Sequence, residues 1–180
     1  CNVWDSVKHE IKINCAAYTN VYGSEINKDL AHEVNLEGLR NLIQLYDINT
    51  YLIQISSDYV FDGDSGPYSE DEHTFPVNYY GKTKLEAENI LRGTRRKWAI
   101  FRPNVLYSSD LFSKRNFFAW VYRSLLKKDS ISVVTDQISN PTFNLQIMRA
   151  IFQCIIMDFE GILHIGSDDY MSRYEFALDI

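Results

Sequence analysis

Apolar positions along the chain fall into two alternating rhythms. "IKINCA" (11–16) and "YLIQIS" (51–56) are short β-prone runs, and between them residues 27–47 carry Leu30, Val34, Leu42, Leu45 and Tyr46 near the helical period. Strand, amphipathic helix, strand is a βαβ unit, whose right-handed crossover makes the two strands parallel. Residues 58–76 hold Gly63, Gly66, Pro67 and Pro76 among acids, which predicts a long loop of functional size. A helix is expected over 78–92 and a strand over 97–102. After Pro103 the pattern predicts a helix over 115–127, a strand "ISVVT" (131–135), a helix over 144–157, a strand over 161–166 and the opening of a helix over 172–180. This alternation predicts an α/β fold with a doubly wound parallel sheet. Ligands in such sheets sit beyond the carboxyl ends of strands, which directs attention to 15–22, 56–62 and 102–108.

Composition narrows the function classes. The 180 residues are 46% hydrophobic and 14% aromatic, enough for the core of one ordinary domain. The net charge of −6 is spread out with no basic stripe, so no nucleic-acid partner is expected. Cys1, Cys15 and Cys154 are far apart and in no ligand spacing, so neither a disulfide framework nor a metal site is expected, and a reducing cytoplasm fits. The longest apolar runs, such as "AIFQCII" (150–156), fall far short of the roughly 20 residues of a membrane span, so no membrane partner is expected. The opening "CNVWDSVKHE" runs into the first strand with no element of normal length before it, and a fragment is expected.

The stretch "PVNYYGKTKLEAEN" (76–89) offers two tyrosines and two lysines. On a helical wheel of about 100° per residue with Tyr80 at zero, Lys84 falls at about 40°, Ala87 at about 340° and Leu91 at about 20°. Lys82, Glu86 and Asn89 fall on the opposite, wet face, where Lys82 and Glu86 form an i,i+4 pair. A lysine in the apolar stripe needs an anionic or hydrogen-bonding partner. A phenol beside a cation suits proton transfer at a carbonyl or alcohol, with Tyr80 as acid and Lys84 lowering its pKa and holding a ribose hydroxyl. Chance Tyr-x-x-x-Lys spacing on a helix remains the plain alternative. Ser57 in "SSDYVFDG" (56–63) sits at a strand end, able to share a carbonyl oxygen with Tyr80 or simply to bond local backbone.

Taken together, "INCAAYTNV", "VNLEGLRNL", "ISSDYVFDGDSGPYSEDE", "PVNYYGKTKLEAE", "DQISNPT" and "RYEFA" resemble the extended short-chain dehydrogenase/reductase superfamily, and within it the dTDP-4-dehydrorhamnose reductases. The resemblance implies a Rossmann-like sheet, incomplete at its N-terminus, with a smaller α/β substrate lobe. It assigns 1–107 and 137–166 to the nucleotide-binding part and 108–136 and 167–180 to the lobe. It implies Ser57, Tyr80 and Lys84 as the catalytic set, and NADPH or NADH as cofactor. Cys15, Ala16, Ala17, Tyr18, Asn35, Ser56, Tyr80, Lys84 and Pro103 would line that cofactor. Val21, Ser57, Asp58, Tyr59 and Val105 would meet a nucleotide-sugar substrate, whose 4-keto group is reduced. For Ala16 and Ala17 tight packing at a strand end is an equal reading, as is a core role for Tyr59 and Phe61.

Some positions depart from the family pattern. No glycine-rich strand-to-helix turn for a pyrophosphate is present, and the resemblance implies that the chain begins after it. "RPNVLYS" (102–108) places Val105 where a tryptophan is usual and Ser108 where a glycine is usual, and Tyr22 replaces a common aspartate. Two other readings stand beside the reductase. One is a regulatory subunit like the beta subunit of methionine adenosyltransferase, and the other is a nucleotide-sugar epimerase or dehydratase. The resemblance also leaves room for a homodimer.

Overall fold

The computed structural model describes residues 10–112 and 116–180. Residues 1–9, where no element of normal length is expected, and Arg115, first residue of the expected helix 115–127, lie outside the described residues. The chain divides into two compact units. One runs through Arg102 and takes back Gln153–His164, and the other holds Pro103–Phe152 and Ile165–Ile180. Residues 103–107, 137–152 and 165–166, expected in the nucleotide-binding part, fall in the second of these units.

The first unit is built on a four-stranded sheet. β1 (Ile11–Asn14), β2 (Tyr51–Ile55), β3 (Trp98–Pro103) and β7 (Gly161–Ile165) lie side by side in that order. β1 pairs with β2 in parallel with Ile11 opposite Tyr51, and β2 pairs with β3 in parallel with Leu52 opposite Trp98. Buried on both faces, Tyr51 to Gln54 form a continuous apolar-rich run, as a central parallel strand requires.

The crossover between β1 and β2 differs from a single amphipathic helix. It comprises α1 (Val21–Ile26), α2 (Lys28–His32), a π-helical turn over Glu33–Glu37, and α3 (Gly38–Leu45). Its buried side is Ala31, Asn35, Leu36 and Leu39, whereas Leu30 and Leu45 of the expected stripe are exposed. The wider π turn inserts residues without advancing the α-helical phase, which displaces the inward face from a simple 3.6-residue pattern. Arg96 closes the far end, its Nη2 donating to the Ile43 carbonyl at 2.7 Å and its Nη1 to the Asp47 carbonyl at 3.4 Å.

α4 (Tyr79–Arg92) packs Ala87 and Leu91 onto Leu36, Leu39, Leu52 and Ile100, the core of this unit. Asn78 caps it, its side chain accepting from the Gly81 N–H at 2.8 Å. Gly81 is required by proximity. A Cβ there would lie 2.1 Å from the carbonyl oxygen of Tyr59, in the short 3-10 turn Asp58–Val60 that follows β2.

In the second unit, β4 (Leu106–Tyr107) pairs in parallel with β6 (Thr142–Phe143), and β5 (Ile138–Ser139) pairs antiparallel with β8 (Met171–Ser172). Tyr107 gathers the rings of Phe118, Phe143 and Phe176 at centroid distances of 6.0, 5.4 and 5.1 Å. α5 (Phe117–Leu126) supplies Phe118, and α7 (Arg173–Leu178), opened by a Ser172/Glu175 capping box, supplies Phe176. α6 (Asn144–Ile156) matches the expected helix. The expected strand 131–135 does not form. "ISVVT" is β-prone, but propensity alone makes no strand without a partner to complete its ladder.

Substituting two of the helical glycines, Gly81 and Gly38, tests the close approach. Gly81→Ala is expected to lose about 1–3 kcal/mol through overpacking. Gly38→Ala, whose added Cβ would meet the Glu33 carbonyl oxygen at an ordinary contact distance of 3.8 Å, is expected to gain about 0.4–1 kcal/mol. Urea denaturation of both variants checks the contrast.

Candidate active site

The carboxyl end of β2 and the first two turns of α4 bring together the three residues expected to do chemistry. Tyr80 and Lys84 are one turn apart on the inward face of α4, 7% and 3% exposed. Ser57 is buried just beyond β2. The wheel is borne out in its sidedness: Tyr80, Lys84, Ala87 and Leu91 are buried, whereas Lys82, Glu86 and Asn89 are exposed. One detail differs. Among the described residues Glu86 pairs with Arg40 at 3.8 Å instead of with Lys82, because the helix surface borders the crossover.

Lys84 has the hydrogen-bonding partner that burial demands. Its Nζ donates to the Ile55 carbonyl at 2.7 Å, and Gln54 Nε2 donates to the same oxygen at 3.0 Å. Gln54 in turn accepts from Asn14 Nδ2 at 2.8 Å, and Asn14 Oδ1 accepts the Ala16 N–H at 3.1 Å. A polar chain therefore runs from the exit of β1, beneath Ala16, to the ammonium. Desolvation lowers the Lys84 pKa to about 8, with Glu88 and Cys15 acting in the opposite direction.

Tyr80 behaves differently from the expectation of a phenol lowered by its lysine. Burial pushes its pKa up to about 12, a side-chain hydrogen bond with Ser57 works against that, and Asp58 and Tyr59 add to it. Removal of the ring from water outweighs every polar neighbour, so the hydroxyl keeps its proton at neutral pH. Tyr59 meets the Tyr80 ring edge-on at 5.7 Å. Ser57 Oγ donates to Asp58 Oδ1 at 2.9 Å and accepts the Tyr59 N–H at 3.3 Å, so the local backbone role open in the sequence is also filled. Tyr79 is half-buried, its N–H donating to Glu25 at 2.6 Å and its ring lying under Lys28.

Other expected site residues fall into distinct groups. Cys15 and Ala16 are exposed and Ala17 and Tyr18 half-buried, along the segment leaving β1. Asn35 is buried in the π turn with its amide committed to protein. It accepts the Tyr18 N–H at 2.7 Å and donates to Thr83 Oγ1 at 2.8 Å, and Thr83 donates to the Tyr80 carbonyl at 2.7 Å. Asn35 thus ties the β1 exit to the start of α4. Ser56 is buried and donates to Glu88. Val21 begins α1 at the end of the same segment. Pro103 and Val105 belong to the second unit, where Val105 has φ of 26°, a strained value for a β-branched residue. An apolar hollow of about 420 Å³ in that unit, lined by Val121, Leu125, Ile131, Val133, Tyr174 and Leu178, contains none of the candidate residues.

Sequence reasoning missed a buried ionic cluster beside Lys84. Glu88 is 0% and Arg102 3% exposed, joined by Nε to Oε1 at 3.0 Å and Nη2 to Oε2 at 2.7 Å. On the wheel Glu88 falls at about 80°, at the edge of the apolar stripe, which was the available signal.

The donor set fits a dinucleotide. The Lys84 ammonium has one hydrogen bond among the described residues, which leaves N–H groups able to meet a ribose diol at the strand ends. Among the described residues no group of three or more His, Cys, Asp or Glu could hold a metal ion, and no helix is long and apolar enough to cross a membrane.

The depressed lysine has a consequence for stability. Between about pH 8 and its unfolded value of 10.5, the unfolded chain binds the Lys84 proton more readily than the folded one, so this group makes stability rise with pH. Lys84→Met is therefore expected to be more stable than the native chain at pH 7, by a few kcal/mol at most. That advantage should shrink as the pH approaches 10, measured by urea midpoints across the range.

Comparison with known proteins shows what the chain is similar to. The family model described as "RmlD substrate binding domain" matches residues 2–180. The dTDP-4-dehydrorhamnose reductase of Aggregatibacter actinomycetemcomitans is 33% identical over 99% of this chain and 63% of its own length. The crystal structure of dTDP-4-dehydrorhamnose reductase from Bacillus anthracis, in complex with NADP, superposes with a TM-score of 0.88 at 34% identity, over 94% of this chain and 60% of that one. Methionine adenosyltransferase 2 subunit beta of Bos taurus is 30% identical over 99% of this chain and 55% of its length. The chain thus spans less than two thirds of each of these relatives. With nearly every residue matched and the tyrosine, lysine and serine gathered at one strand end, the chain belongs to the RmlD substrate binding domain family.

Proposed function

We propose that the full-length protein carrying this chain reduces the 4-keto group of a nucleotide-linked deoxysugar, with NADPH or NADH as the reductant. The observation that supports this reading above others is the grouping of a buried, protonated Tyr80, a buried Lys84 with free donors, and Ser57 at the carboxyl end of β2. The similarity to reductases, one of them crystallised with NADP, points the same way. In this reading the four-stranded sheet carries the nucleotide.

A bound nicotinamide supplies the hydride that reaches the carbonyl carbon. As negative charge develops on the carbonyl oxygen, Tyr80 donates its hydroxyl proton to that oxygen and is left as phenolate, later reprotonated from solvent. The raised pKa of the buried phenol keeps that proton in place until the alkoxide forms. Ser57 orients the same oxygen once its single hydroxyl proton turns to it from Asp58 Oδ1, its acceptor in this structure. Lys84 holds a ribose hydroxyl, and its charge stabilises the phenolate. Cys15, Ala16, Ala17 and Tyr18 line the dinucleotide where small side chains permit close approach. Asn35 acts on them indirectly, through the Tyr18 backbone.

The test is ketosugar-dependent oxidation of NADPH by the full-length protein. Tyr80→Phe is expected to lower kcat on the order of 10² to 10⁴-fold, whereas Tyr79→Phe keeps most activity. Lys84→Met should lower the rate and weaken NADPH binding, and Lys82→Met should do neither. A Tyr79→Phe enzyme as inactive as Tyr80→Phe would overturn the pairing. A full-length protein that turns over no ketosugar but copurifies with a catalytic subunit would favour the regulatory reading instead.

A further inference from the structure

Lys84 and Glu88 stand one turn apart on the same buried face of α4, 3% and 0% exposed. An ammonium and a carboxylate at i,i+4 attract each other, and more strongly away from water. A direct pair would draw Lys84 along the helix, away from Tyr80. The structure holds the two charges apart. Glu88 has its carboxylate filled by other donors: Arg102 Nε at 3.0 Å, Arg102 Nη2 at 2.7 Å, and the Ser56 hydroxyl. Lys84 instead donates to the Ile55 carbonyl at 2.7 Å.

Arg102 is itself held on several sides. Its Nη1 donates to the Glu70 carbonyl at 3.4 Å and meets His164 Nε2 at 3.3 Å, and its guanidinium lies 5.2 Å from the centre of the Phe61 ring. His164 Nδ1 lies 3.2 Å from the Tyr68 carbonyl, an acceptor only, so Nδ1 carries the ring proton and Nε2 accepts from Arg102. The His164 N–H donates to Glu70 Oε1 at 2.8 Å. β3, β7 and the 62–76 loop therefore fix the guanidinium in the one plane that matches both oxygens of Glu88. A lysine could not do this, having no planar fork.

We propose that Arg102 is a positioning residue for Lys84: by occupying both oxygens of Glu88 it prevents a Lys84–Glu88 pair and leaves the ammonium on the Ile55 carbonyl. The inference rests on the reductase reading for its effect on rate, but not for its effect on the position of Lys84.

The experiment compares Arg102→Met, Glu88→Leu and the double variant Arg102→Met/Glu88→Leu in the full-length protein. Arg102→Met frees the Glu88 carboxylate. It is expected to weaken NADPH binding and lower kcat/KM by about tenfold or more, the scale of one charge-assisted hydrogen bond. The double variant removes the competing carboxylate and is expected to recover to within about threefold of the native enzyme, a residue of lost packing of the order of half a kcal/mol. A purely structural role predicts the opposite ranking, with the double variant no better than Arg102→Met, and that result would overturn the proposal. A crystal structure of Arg102→Met gives a readout independent of turnover. Lys84 Nζ within about 4 Å of Glu88 supports the proposal, and Nζ still on the Ile55 carbonyl overturns it. If the native protein shows no reductase activity, the reductase reading fails while the crystal structure still decides the role of Arg102. If Arg102→Met does not fold, Arg102→Lys is judged by the same two criteria.

Discussion

Burying the Lys84 ammonium at the end of β2 is the constraint that the surrounding structure answers. A buried cation without partners is too costly to keep charged, and the groups around it are those that make it tolerable. The Ile55 carbonyl accepts its proton, Gln54 and Asn14 orient the backbone at that point, and Glu88 supplies a nearby negative charge. Glu88 is then itself a buried charge, and Arg102 and Ser56 neutralise and saturate it. The requirement passes from α4 to β3, and from β3 to His164 on β7 and the loop carrying Tyr68 and Glu70. Each element is pinned because the previous one placed a charge beyond the reach of water.

The same seating of α4 governs Tyr80. Gly81 lets the helix start against the Tyr59 carbonyl, which encloses the phenol beneath Tyr59 and beside Ser57. Enclosure has two opposed effects. It raises the phenol's pKa, which favours a held proton, and it lowers the lysine's, which favours a mobile one. The two values, close together in water, are driven apart, so the phenol holds its proton more firmly and the ammonium less firmly. The π turn at Glu33–Glu37 belongs to this arrangement, because it turns Asn35 inward to link the β1 exit to Thr83 and the Tyr80 carbonyl. π turns concentrate at functional sites because a distorted ladder is kept only where something is gained from it.

The two units differ in what holds them. The first is a parallel sheet with an aliphatic core around Leu36, Leu52 and Ile100, to which the ionic cluster is added. The second is assembled from two-residue strand pairs and a group of aromatic rings centred on Tyr107. Within it Val105 holds a strained φ of 26°.

Much of the first unit was legible along the chain. Each of its strands is a local run of β-prone residues, and α4 follows a regular helical period, so Tyr80 and Lys84 could be placed on one face and Lys82 on the other by geometry alone. Local pattern failed where partners decided the outcome. "ISVVT" has strand propensity but no neighbouring ladder, and Leu30 and Leu45 lie outside because a π turn, invisible in a 3.6-residue count, displaced the buried face. The direction of the Tyr80 shift also required three dimensions, since the lysine's nearness in sequence says nothing of how much water the ring loses. The pairing of Glu88 with Arg102, 14 residues apart, was beyond sequence for the same reason. Periodicity identifies which side of a helix faces inward, but only the packed sheet brings a guanidinium from β3 to the carboxylate and decides which of two cations it holds.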